Sequence, residues 1–182
     1  MADKDKRSDE ELMAAYVGGD EAAFDLLFGR YAPMVFAMVK RHLRNDDLAR
    51  EYTQQTFFRL HGARNDFRSD GRLRPWLLTI AMNLVRGHWR KQKRRRHVDH
   101  DLDLEAAPQA EFTDMELGQR AELLHGALAK LPPTQREVVE LHWLQGLPYA
   151  EVAAIVGSSE GAVRVRAHRA YGRLRELLGN VI

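Results

Sequence analysis

Arg164, Arg166, Arg169 and Arg173, interleaved with Val165 and His168, crowd one stretch close to the end of the chain. Cationic forks of this kind hold phosphate oxygens and read base-pair edges, and they do so without making or breaking a bond. At about 100° per residue, the same stretch gathers Val163, Ala167, Ala170, Leu174, Leu177 and Leu178 on one side of a helix. Arg164, Val165, His168 and Arg169 then fall on the other side, with Arg166 and Arg173 on the flank, where long side chains reach phosphates. Just upstream, Ala150, Val152, Ala153, Ile155 and Val156 make a short helix that Gly157 can end by adopting positive φ, and Ser159 is a suitable N-cap for the next. Two helices joined by a chemically specified turn, the second rich in arginine, form the pattern of a helix-turn-helix reader of duplex DNA. The bland reading of the same residues is a solvated arginine face on an ordinary C-terminal helix.

Other chemistries find little footing. There is no cysteine, which removes disulfides, thiolate nucleophiles and cysteine-ligated metals together. The remaining histidines are scattered singly, and neither a Ser/His/Asp spacing nor a glycine-rich phosphate loop is present. His97, Asp99, His100 and Asp101 offer metal-type ligands, but their segment has no fixed scaffold and lacks the glycine of a calcium loop. No catalytic residue, no metal and no cofactor are expected.

The elements that must position the arginines are helical throughout. In 182 residues, 45% hydrophobic and 8% aromatic content suffices for real cores, and no segment alternates with period two over a useful length. Ser8 with Glu11 forms a capping box, Gly18-Gly19 ends a first short helix, and Asp20 can cap a second. Phe24, Leu27, Phe28, Tyr31, Val35, Met38 and Val39 recur at three and four in that second helix, which Pro33 is expected to kink or interrupt. A third helix starts near Asp46 or Asp47. After a polar loop from Asn65 to Arg74, Pro75 reads as a first helical residue, and Trp76, Leu77, Ile80, Ala81, Leu84, Val85 and Trp89 supply an apolar stripe. Both tryptophans are therefore expected to pack in the core. Thr113 with Glu116 and Thr134 with Glu137 read as further capping boxes, with Leu131-Pro132-Pro133 between them.

The net charge of +2 conceals a segregation. Residues 86–96 carry seven Lys/Arg and no acid, whereas residues 97–117 carry seven Asp/Glu and no Lys/Arg. The aperiodic, acidic segment 97–112 reads as a linker between a module at 1–96 and one at 113–182, an all-α architecture of two small domains. The charged N-terminus has no signal-peptide core, and no apolar run approaches the roughly 20 residues that span a bilayer. A soluble, cytoplasmic protein without membrane insertion is expected.

In order along the chain stand Ala23-Phe24 through Tyr31, Ala49 through Gln54-Gln55-Thr56-Phe57, the run Trp76 to Asn83, Ala127 to Pro132 with Arg136, Gly146 to Ala153, and Gly161 to Arg166 with Arg169-Ala170. This succession resembles the sigma-70 family of bacterial RNA polymerase sigma factors, specifically the compact extracytoplasmic-function group that keeps regions two and four. Arg50-Glu51 replaces the family's usual acidic pair, Gln55 replaces an acid, and Val165 replaces a serine common on the reading face. An apolar Val165 can meet a thymine methyl instead.

The resemblance implies a protein that binds core RNA polymerase, directs it to promoter DNA and helps open the duplex. It places polymerase binding on Asp47, Glu51, Gln54, Gln55 and Phe58. It places contact with the upstream edge of the bubble on Arg68, Arg72 and Asn83, and phosphate contact on Arg86, Arg90, Lys91 and Arg94. An unpaired base would be captured by the loop from Phe67 to Arg74 and the helix after it. Duplex reading by the second module falls to Ser159, Arg164, Val165, Arg166, His168, Arg169 and Arg173. Asp99, Asp101, Asp103 and Glu105 would imitate RNA phosphates in the polymerase's basic exit path, and an anti-sigma factor is the expected regulator. The competing readings are a stand-alone helix-turn-helix repressor or activator with a helical sensing domain and, more remotely, a nuclease.

Overall fold

The computed structural model describes residues 6–68, 71–98 and 117–179. Among them there is no strand. The chain divides into two compact units, Met1–Glu105 and Ala106–Ile182.

In the first unit, α1 (Asp9–Val17) opens on the anticipated capping box: Ser8 Oγ accepts from the Glu11 amide at 3.2 Å, and the Glu11 carboxylate accepts from the Ser8 amide at 2.7 Å. Asp20 caps α2 (Glu21–Leu43), which continues through Pro33 without interruption. The expected break does not occur because Pro33 and Gly29 both lie on the exposed face, where a carbonyl deprived of its helical donor meets water. Arg44, left-handed at φ 51°, ends α2, and Asn45 caps α3 (Asp46–Gly62). After a 3-10 turn at Arg64–Asp66, α4 (Leu73–Val98) begins two residues ahead of Pro75. Pro75 thus sits third in the helix, still within the first turn, where its missing N–H leaves no bond unmade. The Leu73 amide at that end is received by Glu10 of α1 at 3.2 Å, a cap supplied from 63 residues away.

Leu12, Met13, Leu27, Val35, Met38, Leu60, Leu77 and Leu78 are buried to within 1% of fully, and they weld the four helices into one core. By length and composition alone, α2 is long and apolar enough to cross a bilayer, which corrects the expectation that no segment would be. Its apolar stripe, however, faces the other three helices.

The second unit contains α5 (Leu117–Ala129), α6 (Pro133–Val139), a π turn at Glu140–Leu144, α7 (Tyr149–Val156) and α8 (Glu160–Leu178). Thr113 and Glu116 lie outside the described residues. Thr134 does not cap α6: the helix opens at Pro133, and the Pro132 carbonyl receives the Gln135 and Arg136 amides at 2.9 and 3.0 Å. Proline at the first helical position sets φ without a side-chain cap. Arg136 crosses back to the end of α5, donating to the carbonyls of Leu128 at 2.8 Å, Ala129, and Leu131 at 3.4 Å. Those carbonyls have no intrahelical donor, so the guanidinium acts as a tertiary C-cap. Ala127, Leu128, Leu131, Val139, Ala170 and Leu174 form the adjoining core.

Candidate nucleic-acid and polymerase interface

The turn between α7 and α8 is built as anticipated. Gly157 is left-handed at φ 65°, and Ser159 Oγ accepts from the Ala162 amide at 3.3 Å. Beyond it, Val163, Ala167, Ala170 and Leu174 are buried, while Arg164, Val165, His168, Arg169 and Arg173 are exposed and Arg166 is half-buried on the flank. Leu177 is 42% exposed, contrary to its expected place in the core, because in that last turn its neighbour Leu178 is the side chain that packs against the cluster of Ala127, Leu128, Leu131 and Leu174.

Arg164 is gripped rather than free. Its Nε and Nη2 donate to Glu160 Oε1 at 3.1 and 2.5 Å, and its guanidinium carbon lies 5.1 Å from the Tyr149 ring centre. Tyr149 in turn stacks on His142, with centroids 3.9 Å apart and planes at 23°. His142 Nδ1 and the Leu147 carbonyl are 2.7 Å apart across the turn that precedes α7. Tyr149, Arg164, Val165, His168 and Tyr171 line a shallow recess of about 410 Å³ on the reading face. Burial, then the neighbouring Tyr149, pushes the Tyr171 hydroxyl's pKa upward and keeps it protonated. Sequence reasoning assigned no role to Tyr149, Glu160, His142 or Tyr171. Glu160 was findable, since an acid four residues before an arginine on one helix is a recognised pairing.

In the first unit, Asp47, Glu51, Gln54 and Phe58 are exposed along one face of α3, with Gln55 half-buried beside them. Ala49, Thr53, Thr56, Phe57 and Leu60 take the opposite face into the core. Polar links on the exposed face are local: Asp47 pairs with Arg50 at 2.9 Å, and Gln55 donates to Glu51 at 2.8 Å. Phe58, 77% exposed, forms no part of the core.

On α4, Asn83 is exposed and its Oδ1 accepts from Arg86 at 3.1 Å. Arg90, Lys91 and Arg94 are exposed one and two turns further on, and Arg68 and Arg72 are exposed ahead of the helix. Phe58, Arg59, Gly62, Ala63, Trp76, Ile80 and Asn83 line an open groove of about 460 Å³. The groove therefore joins Phe58, assigned to polymerase, and Asn83, assigned to DNA. Trp76 is half-buried against Phe67, with ring centres 5.3 Å apart. Trp89 is 45% exposed and packs edge-on against His88, not in the core, because at this level His88 takes the place against α3, edge-on to Tyr52. Asp99, Asp101, Asp103 and Glu105 lie outside the described residues. Among the described residues, no group of three or more His, Asp or Glu is placed to hold a metal ion.

A helical unit with polar faces on two long helices, and a second unit presenting an arginine-lined recognition helix, define a modular DNA-reading protein of the all-α class. The sequence matches the model of Sigma-70 region 2 over residues 27–95 and that of Sigma-70, region 4 over residues 121–174. It is 40% identical over 172 residues to RNA polymerase sigma factor CarQ of Myxococcus xanthus, covering 93% of this chain and 97% of that one. It is 33% identical to ECF RNA polymerase sigma factor SigM of Mycobacterium tuberculosis, covering 96% and 86%. Among solved structures it resembles the sigma factor RpoE in complex with the anti-sigma factor NepR from Bartonella quintana, with TM-score 0.72, 26% identity and coverage of 87% and 98%. It also resembles CnrH in complex with the cytosolic domain of CnrY, with TM-score 0.70, 26% identity and coverage of 96% and 99%. The chain belongs to the sigma-70 family, in its extracytoplasmic-function group.

Proposed function

We propose that this chain, as a sigma factor, divides promoter initiation between its units at the residues named above. Residues 1–96 hold core RNA polymerase and the upstream edge of the bubble, 97–112 tether, and 113–182 read the upstream duplex element. Asp47, Glu51, Gln54, Gln55 and Phe58 engage polymerase; their support is one face of α3, on which all but the half-buried Gln55 are exposed. Arg68, Arg72 and Asn83 engage the opened strand, and Arg86, Arg90, Lys91 and Arg94 its phosphates. Unstacking a captured base costs a few kcal/mol, which stacking and phosphate contacts of about 1–3 kcal/mol per base offset.

The chain's work is binding energy, and it makes and breaks no bond itself. Its place of action is the cytoplasm, where polymerase and promoter are. An anti-sigma factor holds it inactive, as the complexes of the similar RpoE and CnrH suggest. The observation that carries this reading is the match to both family regions together with an exposed arginine face on α8. The test is reconstitution with core polymerase and selection of transcribed sequences from a random promoter library. Recovery of a two-part element is expected. Failure to join polymerase, with equal binding to a duplex in its absence, would instead mark a stand-alone repressor or activator.

A further inference from the structure

Glu160 and Arg164 are an i,i+4 pair with side chains 43% and 62% exposed, and such a pair alone contributes little to stability. What sets it apart is a second grip from another helix, the Tyr149 ring of α7 beneath the same guanidinium. Tyr149 is itself held by stacking on His142, and Tyr171 lines the same recess. Glu160 occupies the edge of the guanidinium that carries Nε and Nη2. By the planar geometry of a guanidinium this leaves the end-on pair, Nη1 and the second N–H of Nη2, unused by that carboxylate, and such a pair matches guanine O6 and N7 in the major groove.

A cation whose orientation is set from two elements before it meets DNA loses less freedom on binding than a loose one. We propose that Glu160 and Tyr149 are positioning residues that preset Arg164 as a guanine reader, making one G·C pair of the upstream element depend on all three side chains. This rests on the reading of α8 as the promoter-reading helix. Glu160 also carries a cost, because its charge repels phosphate whatever the sequence. Its removal therefore weakens discrimination while strengthening binding to mismatched DNA, a pair of opposite signs that a merely structural role does not produce.

The experiment uses the full chain with core polymerase and templates randomised in the upstream element, followed by all four base pairs at each recovered guanine. The unaltered chain is expected to prefer one G·C pair by about 10-fold or more, as a bidentate arginine contact does. Substituting 7-deazaguanine there should remove much of that preference. Arg164→Lys, which keeps charge but loses the fork, and Glu160→Ala should each cut it to a third or less, with Glu160→Ala raising binding to mismatched templates. Tyr149→Ala should cut it similarly, while Tyr149→Phe, which keeps the ring, should retain most of it and guards against a folding artefact. Unchanged preference in Glu160→Ala and Tyr149→Ala overturns the proposal, and so does a rise in Glu160→Ala, which would make the carboxylate a competitor for the fork. Equal loss in Tyr149→Phe and Tyr149→Ala would assign the effect to the hydroxyl and overturn the ring's role. If the unaltered chain recovers no sequence, the promoter reading itself fails. Recovery of an element with no Arg164-dependent guanine defeats only this inference.

Discussion

The first unit spreads its candidate contacts over two long helices, α3 of 17 residues and α4 of 26, whereas the second concentrates them on one face of α8. Their cores differ in the same sense. Large side chains such as Leu12, Met13, Leu77, Leu78 and Met82 fill the first, while Ala127, Val138, Val139, Ala153, Ala167 and Ala170 are prominent in the second. Apolar area buried is the main stabiliser available to either. The second adds directed devices, the Arg136 clamp on α5, the left-handed Gly157 and the Ser159 cap, as the first adds its own caps at Ser8, Asp20, Asn45 and Glu10. A broad face suited to a protein partner tolerates loose local geometry, whereas a reading helix must enter a groove at a set angle. Both units add side-chain hydrogen bonds to their cores, and in the second these bonds fix the end of α5 and the turn before the reading helix.

The largest effect that can break this contrast is in the first core. Leu77→Ala should cost about 3 kcal/mol in that unit and leave the second unit's melting unmoved, as read by calorimetry on the full chain. A shift of both transitions would show that the two cores are not separate. Next, Arg136→Met should destabilise the second unit by roughly 2 kcal/mol, because carbonyls at the end of α5 lose a charged donor. If it costs no more than an average surface substitution, the Arg136 clamp is not what secures the end of α5.

Replacing Arg90, Lys91 and Arg94 together by glutamine should reduce the slope of log affinity against log salt by about 2.1, at roughly 0.7 for each phosphate of the opened strand left without its cation. An unchanged slope in polymerase–promoter binding would remove α4 from the phosphate contacts. Smaller still, Ser159→Ala should cost about 1 kcal/mol, confined to the second unit and visible as fraying of α8 by hydrogen exchange.

Burial, then the hydrogen bond to Asp9, raises the Tyr31 pKa above its ordinary 10.0. A raised folded-state pKa means that stability is complete below about pH 10 and is lost above it, where the unfolded chain releases the proton first. Tyr16 and Tyr52 are raised mainly by burial as well, so the first unit carries three such groups against Tyr171 in the second. Between pH 10 and 11 the first unit should lose about 1 kcal/mol through Tyr31, and Tyr31→Phe should flatten that part of the curve. Equal alkaline sensitivity of both units would contradict the assignment.

Much of the site was legible because its signals are local. The Ser8 box, the caps at Asp20 and Ser159 and the turn at Gly157 each involve partners three or four residues apart. The buried stripe of α8 followed helical period as far as Leu174. Failures came where helices end or cross. Trp89 and Leu177 keep the period but are displaced from the core by their chain neighbours His88 and Leu178, and no pattern within a helix says which of two adjacent residues meets the partner helix.

By itself the sequence determined the helical class, the two-part division of character, the turn of the reading motif and the family, because cap chemistry, apolar period and residue order are properties of short stretches. The tertiary structure alone decided that Glu10 caps α4, that Phe58 and Asn83 share one groove, and that Tyr149 lies against Arg164. Each of these joins residues 15 or more positions apart, and only the packing of whole helices, chosen by the total apolar surface removed from water, brings such pairs within reach.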